Sequence, residues 1–188
     1  MKFDRFSKKQ LRVFNWWTTG KYDALICDGA IRSGKTLSMS ISFVIWAMHS
    51  FDGKVFAFCG KTIESLRRNV IVPLVEGLYG AYEVQENKSQ NYLRVSVNGR
   101  VNTFYLFGGR DESSYMLIQG ITLSGVLFDE VALMPRSFVE QALARCSVAG
   151  SKVLVQLQPG DSRPLVPARV DFEGKRKKRL ALAFSHGG

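Results

Sequence analysis

A chain of 188 residues with 46% hydrophobic content is long enough for one domain, or one domain with a tail, around a real core. Its longest apolar run, Leu37 to Met48, is short and broken by three serines, so no membrane-spanning helix is expected. The net charge of +10 suits a polyanionic partner, but it is unevenly placed: residues 1–152 hold 19 basic and 13 acidic side chains, and residues 153–188 hold 7 and 3.

The N-terminus carries charge with no apolar stretch behind it, so it does not read as a signal peptide. Phe3, Phe6, Leu11, Phe14 and Trp17 recur at mostly helical spacing, and Ser7 with Gln10 forms a capping-box pattern. Gln10 has two readings: the third residue of that cap, or an adenine contact of the kind found just upstream of the phosphate loop in many nucleotide motors. Asp23–Asp28 predicts a first strand. Gly29, Ala30, Ile31, Arg32, Ser33, Gly34, Lys35 and Thr36 then read G-x-x-x-x-G-K-[ST], and Leu37–Ser50 is helical in period without Pro or Gly. Strand, glycine loop and helix together make a phosphate-binding loop. The two glycines let backbone N–H groups converge on an anion, and the helix adds its positive end. Lys35 is placed to reach the β- and γ-phosphates of ATP, and the Thr36 hydroxyl to hold Mg²⁺.

Lys54–Cys59 reads as a second buried strand and Ile63–Leu78 as a helix that Pro73 kinks or splits. This is the grammar of a parallel α/β sheet. Tyr82–Glu86, Tyr92–Val97 and Val101–Phe107 predict three short strands with a hairpin at Asn98-Gly99, so an antiparallel insert or sheet edge follows. A short helix is expected over Ser113–Ile118. Gly125–Phe128 is an apolar strand ending in Asp129-Glu130, which puts two carboxylates at the carboxyl edge of the sheet. Asp129 would serve the metal, and Glu130 would orient and deprotonate an attacking water. Met134–Arg145 predicts a helix that starts at Pro135. The three cysteines, Cys27, Cys59 and Cys146, lie far apart with no C-x-x-C pair, and read as reduced core thiols of a cytoplasmic protein.

Taken together, the phosphate loop, G-G-R-D-E-S-S, I-Q-G-I-T-L-S-G-V-L-F-D-E-V-A-L-M-P and A-R-C-S-V-A-G-S-K resemble the large subunit of a tailed-phage terminase of the PBSX type, from about residue 8 to Lys152. The resemblance implies a three-layer P-loop NTPase fold of the additional-strand, conserved-glutamate (ASCE, RecA-like) class, with a mostly parallel sheet. It implies an ATPase that drives double-stranded DNA into a procapsid. ATP and Mg²⁺ would be its cofactors, and the small terminase subunit, the portal protein and further copies of itself its partners. Lys35, Thr36, Asp129 and Glu130 match the family's phosphate, metal and catalytic positions. Arg32 matches a basic residue that the family often carries in the loop, with a charge-stabilising role implied. Other readings are a different P-loop DNA motor such as a helicase, or an inactive prophage remnant that only binds nucleotide.

Two departures stand out. The length leaves no room for the nuclease domain that the resemblance implies, so the expected chain is an ATPase domain over 1–152, incomplete at its C-terminus, followed by an aberrant basic tail over 153–188. In place of the family's W-F-N-x-N-P strand end, the text reads Lys152-Val-Leu-Val-Gln-Leu-Gln-Pro159. That octapeptide can be encoded AAG-GTT-TTG-GTT-CAA-CTG-CAA-CCC. One base later the same string gives R-F-W-F-N-C-N-P. Residues 160–166, encoded GGA-GAC-TCC-CGG-CCA-CTG-GTT, give E-T-P-G-H-W-F in that frame. A frameshifted tail after Lys152 is therefore expected. Its basic run Gly174–Arg179 would be a solvated charge run and not a nucleic-acid site.

Overall fold

The computed structural model describes residues 6–28, 34–157 and 180–183, the last four as backbone alone. Helix α1 (Lys8–Asn15) begins where Ser7 and Gln10 cap each other reciprocally. Strand β1 (Ala24–Cys27) leads toward helix α2 (Lys35–Ser50), and β2 (Val55–Gly60) follows. One helical segment is then built from α3 (Ile63–Leu66), a π-helical turn (Arg67–Ile71) and α4 (Val72–Leu78). Pro73 lies in the first turn of α4, directly after the π turn. The split expected at this proline therefore takes the form of a widened turn within a continuing helix, which accommodates the missing N–H.

Strands β3 (Glu83–Asn87), β4 (Tyr92–Val97) and β5 (Arg100–Gly108) come next. Asn98 (φ 49°) and Gly99 (φ 78°) are both left-handed, the backbone that a two-residue hairpin turn requires between β4 and β5. A 3₁₀ helix (Glu112–Ile118), β6 (Gly125–Phe128), a short 3₁₀ turn (Val131–Leu133), α5 (Arg136–Arg145) and β7 (Lys152–Gln156) complete the run, and β8 covers Leu180–Ala183.

The described strands form one sheet in the order β3-β4-β5-β2-β6-β7-β1-β8. Pairing is parallel from β5 through β8, and antiparallel only where β4 meets β3 and β5. The antiparallel portion is thus a sheet edge, one of the two arrangements its turns predict. Alternation along β2 sends Phe56 and Phe58 into one core and Ala57 and Cys59 into the other. The first core packs α1, α2 and α4 against the sheet around Phe43, Trp46 and Phe104; Phe43 meets Phe56, Phe58 and Phe104 edge to face and stacks on Trp46. The second packs Phe138 and Val139 of α5 against Val126 and Phe128. Helices on both faces of a mostly parallel sheet make the three-layer architecture.

Strand β7 sits between β6 and β1, pairing Val126 with Val153 and Ala24 with Val153. It therefore crosses the boundary drawn at Lys152. Lys152, Val153, Leu154 and Gln156 are buried, as is Leu157 just after the strand. The segment Val153-Leu-Val-Gln-Leu157 is apolar and β-branched enough to fill an interior slot. Residues 158–179 and 184–188 of the expected tail lie outside the described residues.

Candidate active site

Strands β2, β6, β7 and β1 are parallel neighbours, so their carboxyl ends, Gly60, Phe128, Gln156 and Cys27, open on one edge of the sheet. Ligands bind outside that edge in open α/β sheets. The loop residues Gly29, Ala30, Ile31, Arg32 and Ser33 lie outside the described residues. Gly34 is described: it is left-handed (φ 72°) and caps α2, which starts at Lys35. A Cβ at Gly34 would sit 3.0 Å from Gln10 Nε2, while Gln10 Oε1 accepts a bond from the Ser7 N–H at 2.9 Å. Gln10 makes the capping bond, and that same bond holds its side chain against the last glycine of the loop, so the two readings of Gln10 are compatible.

Lys35 is buried, and its Nζ donates to the Leu157 carbonyl at 3.4 Å. Burial lowers its pKa, while Asp28 nearby opposes the shift. Burial also pushes the Cys27 thiol up to about 12, so Cys27 is a neutral wall of the site and not a nucleophile. All three cysteines are buried free thiols, as their spacing suggests. The Thr36 hydroxyl donates to Gln156 Oε1 at 2.8 Å.

Asp129 and Glu130 leave the end of β6. Asp129 is one residue past the Phe128–Val155 pair and therefore level with Gln156, the last residue of β7, and with Cys27, the last residue of β1. Its own N–H is tied to the Cys59 carbonyl at 2.8 Å. It is 6% exposed, and burial, reinforced by the Glu130 charge, pushes its carboxyl up to about 7. Glu130 adopts a left-handed backbone (φ 55°, ψ 54°), rare for a residue with a side chain and found preferentially where function requires it.

The site fits Mg²⁺. Among the described residues, no three His, Cys, Asp or Glu side chains gather into a cluster that could hold an ion by themselves. What the edge offers is one buried carboxylate that burial leaves short of counter-charge, Asp129, and one hydroxyl, Thr36. Few protein oxygens, completed by substrate phosphates and water, are what this ion takes in nucleotide sites.

The structure brings the sequence-predicted Lys35, Thr36, Asp129 and Glu130 to one sheet edge, and it places beside them Gln156, which the sequence did not single out. The available signal was a lone amide at the end of an apolar run, legible only once β7 is known to lie beside β1.

The fold and this edge define a P-loop nucleotide-binding α/β domain. No protein-family profile and no curated protein matches the chain. Solved structures do. The large terminase of a thermophilic bacteriophage is 54% identical with a TM-score of 0.78, over 82% of this chain and 39% of that one. The same terminase in complex with ADP is 46% identical with a TM-score of 0.84, over 95% and 45%. In complex with ATP-γ-S it is 45% identical with a TM-score of 0.82, over 95% and 45%. The chain belongs to the phage large-terminase family and has the fold of its ATPase domain. It spans less than half the length of these terminase chains.

Proposed function

We propose that this domain binds ATP with Mg²⁺ and hydrolyses it, and that in an assembled terminase the hydrolysis drives double-stranded DNA into a procapsid. The observation that carries the reading is the level placement of Lys35–Thr36, Asp129–Glu130 and the strand ends between them on one sheet edge. The ADP and ATP-γ-S complexes of the thermophilic-phage terminase support the choice of nucleotide.

In the reaction, water attacks the γ-phosphorus, the bond from that phosphorus to the bridging oxygen breaks, and ADP and phosphate leave. Bound Mg²⁺ would draw charge from the phosphate oxygens, held by Thr36 and Asp129. Lys35 gives up its long contact to the Leu157 carbonyl and turns its ammonium to the β- and γ-phosphates. Glu130 accepts the proton of the attacking water. Arg32 adds positive charge where negative charge gathers, and Gln10, beside Gly34, contacts the base. The backbone N–H groups from Gly29 to Thr36 form the phosphate cradle. The small terminase subunit, the portal protein and further copies of the chain complete the motor. We propose further that the text after Lys152 is frameshifted; the family-like text that stops at Lys152 and resumes one base later in a possible coding string supports this.

Glu130→Gln tests the chemistry. The amide keeps the shape and cannot accept the proton, so ATP binding should persist while turnover falls at least about a hundredfold. Wild-type turnover by the variant would remove Glu130 as the base.

A further inference from the structure

The carboxyl end of β7 holds the first turn of α2 through two consecutive residues. Leu157 O accepts from Lys35 Nζ at 3.4 Å, and Gln156 Oε1 accepts from Thr36 Oγ1 at 2.8 Å. These two tethers respond differently to a bound nucleotide. An ammonium drawn to phosphates leaves a long carbonyl contact. A hydroxyl has one proton and two lone pairs. When the proton is given to Gln156, the lone pairs face away from Gln156 and remain free for a cation. The amide oxygen is therefore not a competitor of the metal; it fixes the rotor that the metal must find.

Gln156 is suited to this. It is 7% exposed, so bulk water does not readily replace its amide. It is the last residue of β7, paired with Cys27 of β1 and one residue beyond the Phe128–Val155 pair, so the sheet holds its backbone in place. Its level on the sheet is that of Asp129, the other protein oxygen offered to the ion. We infer that Gln156 is a positioning residue of the metal site: its amide oxygen takes the Thr36 proton and aims the Thr36 lone pairs at the cation. The inference rests on the nucleotide-site reading above.

The test is ADP binding by the full chain, measured with saturating Mg²⁺, across a Mg²⁺ titration, and in EDTA. Gln156→Met keeps the length and removes the acceptor. The Mg²⁺ concentration at half-effect should rise about tenfold, in line with other groups that orient a metal ligand, and ADP affinity in EDTA should be unchanged. Gln156→Glu restores an acceptor oxygen at the same reach and should return the Mg²⁺ response. In a Thr36→Val background, Gln156→Met should have no further effect on the Mg²⁺ response, because the hydroxyl it positions is gone. An unaltered Mg²⁺ titration for Gln156→Met would overturn the inference. So would a tighter one, which would mean that the amide donates and blocks a lone pair. Equal losses with and without Mg²⁺ would make Gln156 a packing residue only. If Gln156→Met fails to fold, Gln156→Asn, which withdraws the amide by one methylene, carries the same test. Lys35→Ala separates the two readings: it should lose ADP even in EDTA. If it binds like wild type, the nucleotide site itself is misassigned. If it loses ADP while Gln156→Met is silent, only the role of Gln156 falls.

Discussion

At the scale of single residues, the site stores a cost that its ligands are suited to relieve. Asp129 is held near pH 7 by burial and by Glu130, far above the range of about 3.9 that an aspartate has in an unfolded chain. The folded state thus binds this proton more tightly than the unfolded state does. The carboxyl costs nothing below about pH 4, and its cost to folding grows as pH rises toward 7, then levels off. Asp129→Asn should therefore leave stability unchanged near pH 4 and raise the melting temperature by on the order of 5 °C at pH 8 without nucleotide. Mg²⁺-dependent ADP binding should be lost in the same variant. Equal melting temperatures at pH 8 would show that the buried carboxyl is already compensated in the apo protein. Lys35, lowered by burial and raised by Asp28, belongs to the same balance. Its replacement by Ala removes the charge that the phosphates need, and should weaken nucleotide binding by about tenfold or more.

At the scale of elements, packing decides what composition cannot. Gly125 opens β6 under the Trp46 ring: a Cβ there would lie 2.8 Å from Trp46 Cζ3 and 3.0 Å from the Lys152 carbonyl. Trp46 is fully enclosed between Phe43, Phe51 and Phe56, so the ring has nowhere to go. Gly125→Ala should cost about 1–3 kcal/mol in urea unfolding. A loss within about 0.5 kcal/mol, the range of a surface change, would mean that the helix can slide over the sheet. This is where reading the sequence stops. The strand Gly125–Phe128, the hairpin at Asn98-Gly99, the cap at Ser7 and, to within one residue, the start of α5 after its N-cap Pro135 were legible because each depends on neighbours within about four residues. The strand order, the π turn before Pro73, the left-handed Glu130 and the Thr36–Gln156 bond were not, because each depends on residues that meet only after the sheet is assembled. The two carboxylates stand out in the sequence through their motif. Gln156 has no motif, and its bond to Thr36 forms only across the assembled sheet.

At the scale of the whole molecule, the open question is what β7 and the residues after it represent. Strand β7 fills an interior slot and its end touches the phosphate-loop helix, so the segment Lys152–Leu157 contributes to the domain whatever its origin. An apolar, β-branched run satisfies such a slot in many spellings, which is how a shifted reading frame can still supply a strand. The family-like text stops at Lys152 and resumes one base later in a possible coding string. The charge follows the same division, with 7 basic against 3 acidic side chains in residues 153–188. A frame slip at about codon 152 accounts for all three observations at once. The prediction is about the gene. Read one base later from codon 152, it should encode R-F-W-F-N-C-N-P and then E-T-P-G-H-W-F, and it should continue open in terminase-like text. Sequencing across codons 145–188 and a few hundred bases beyond checks this directly. A stop codon in the shifted frame, or codons that do not spell the tryptophan and asparagine pair, would leave the present tail as the protein's own. In that case the basic run Gly174–Arg179 would have to be reconsidered as a nucleic-acid contact, and its salt-dependent DNA binding measured with and without those charges.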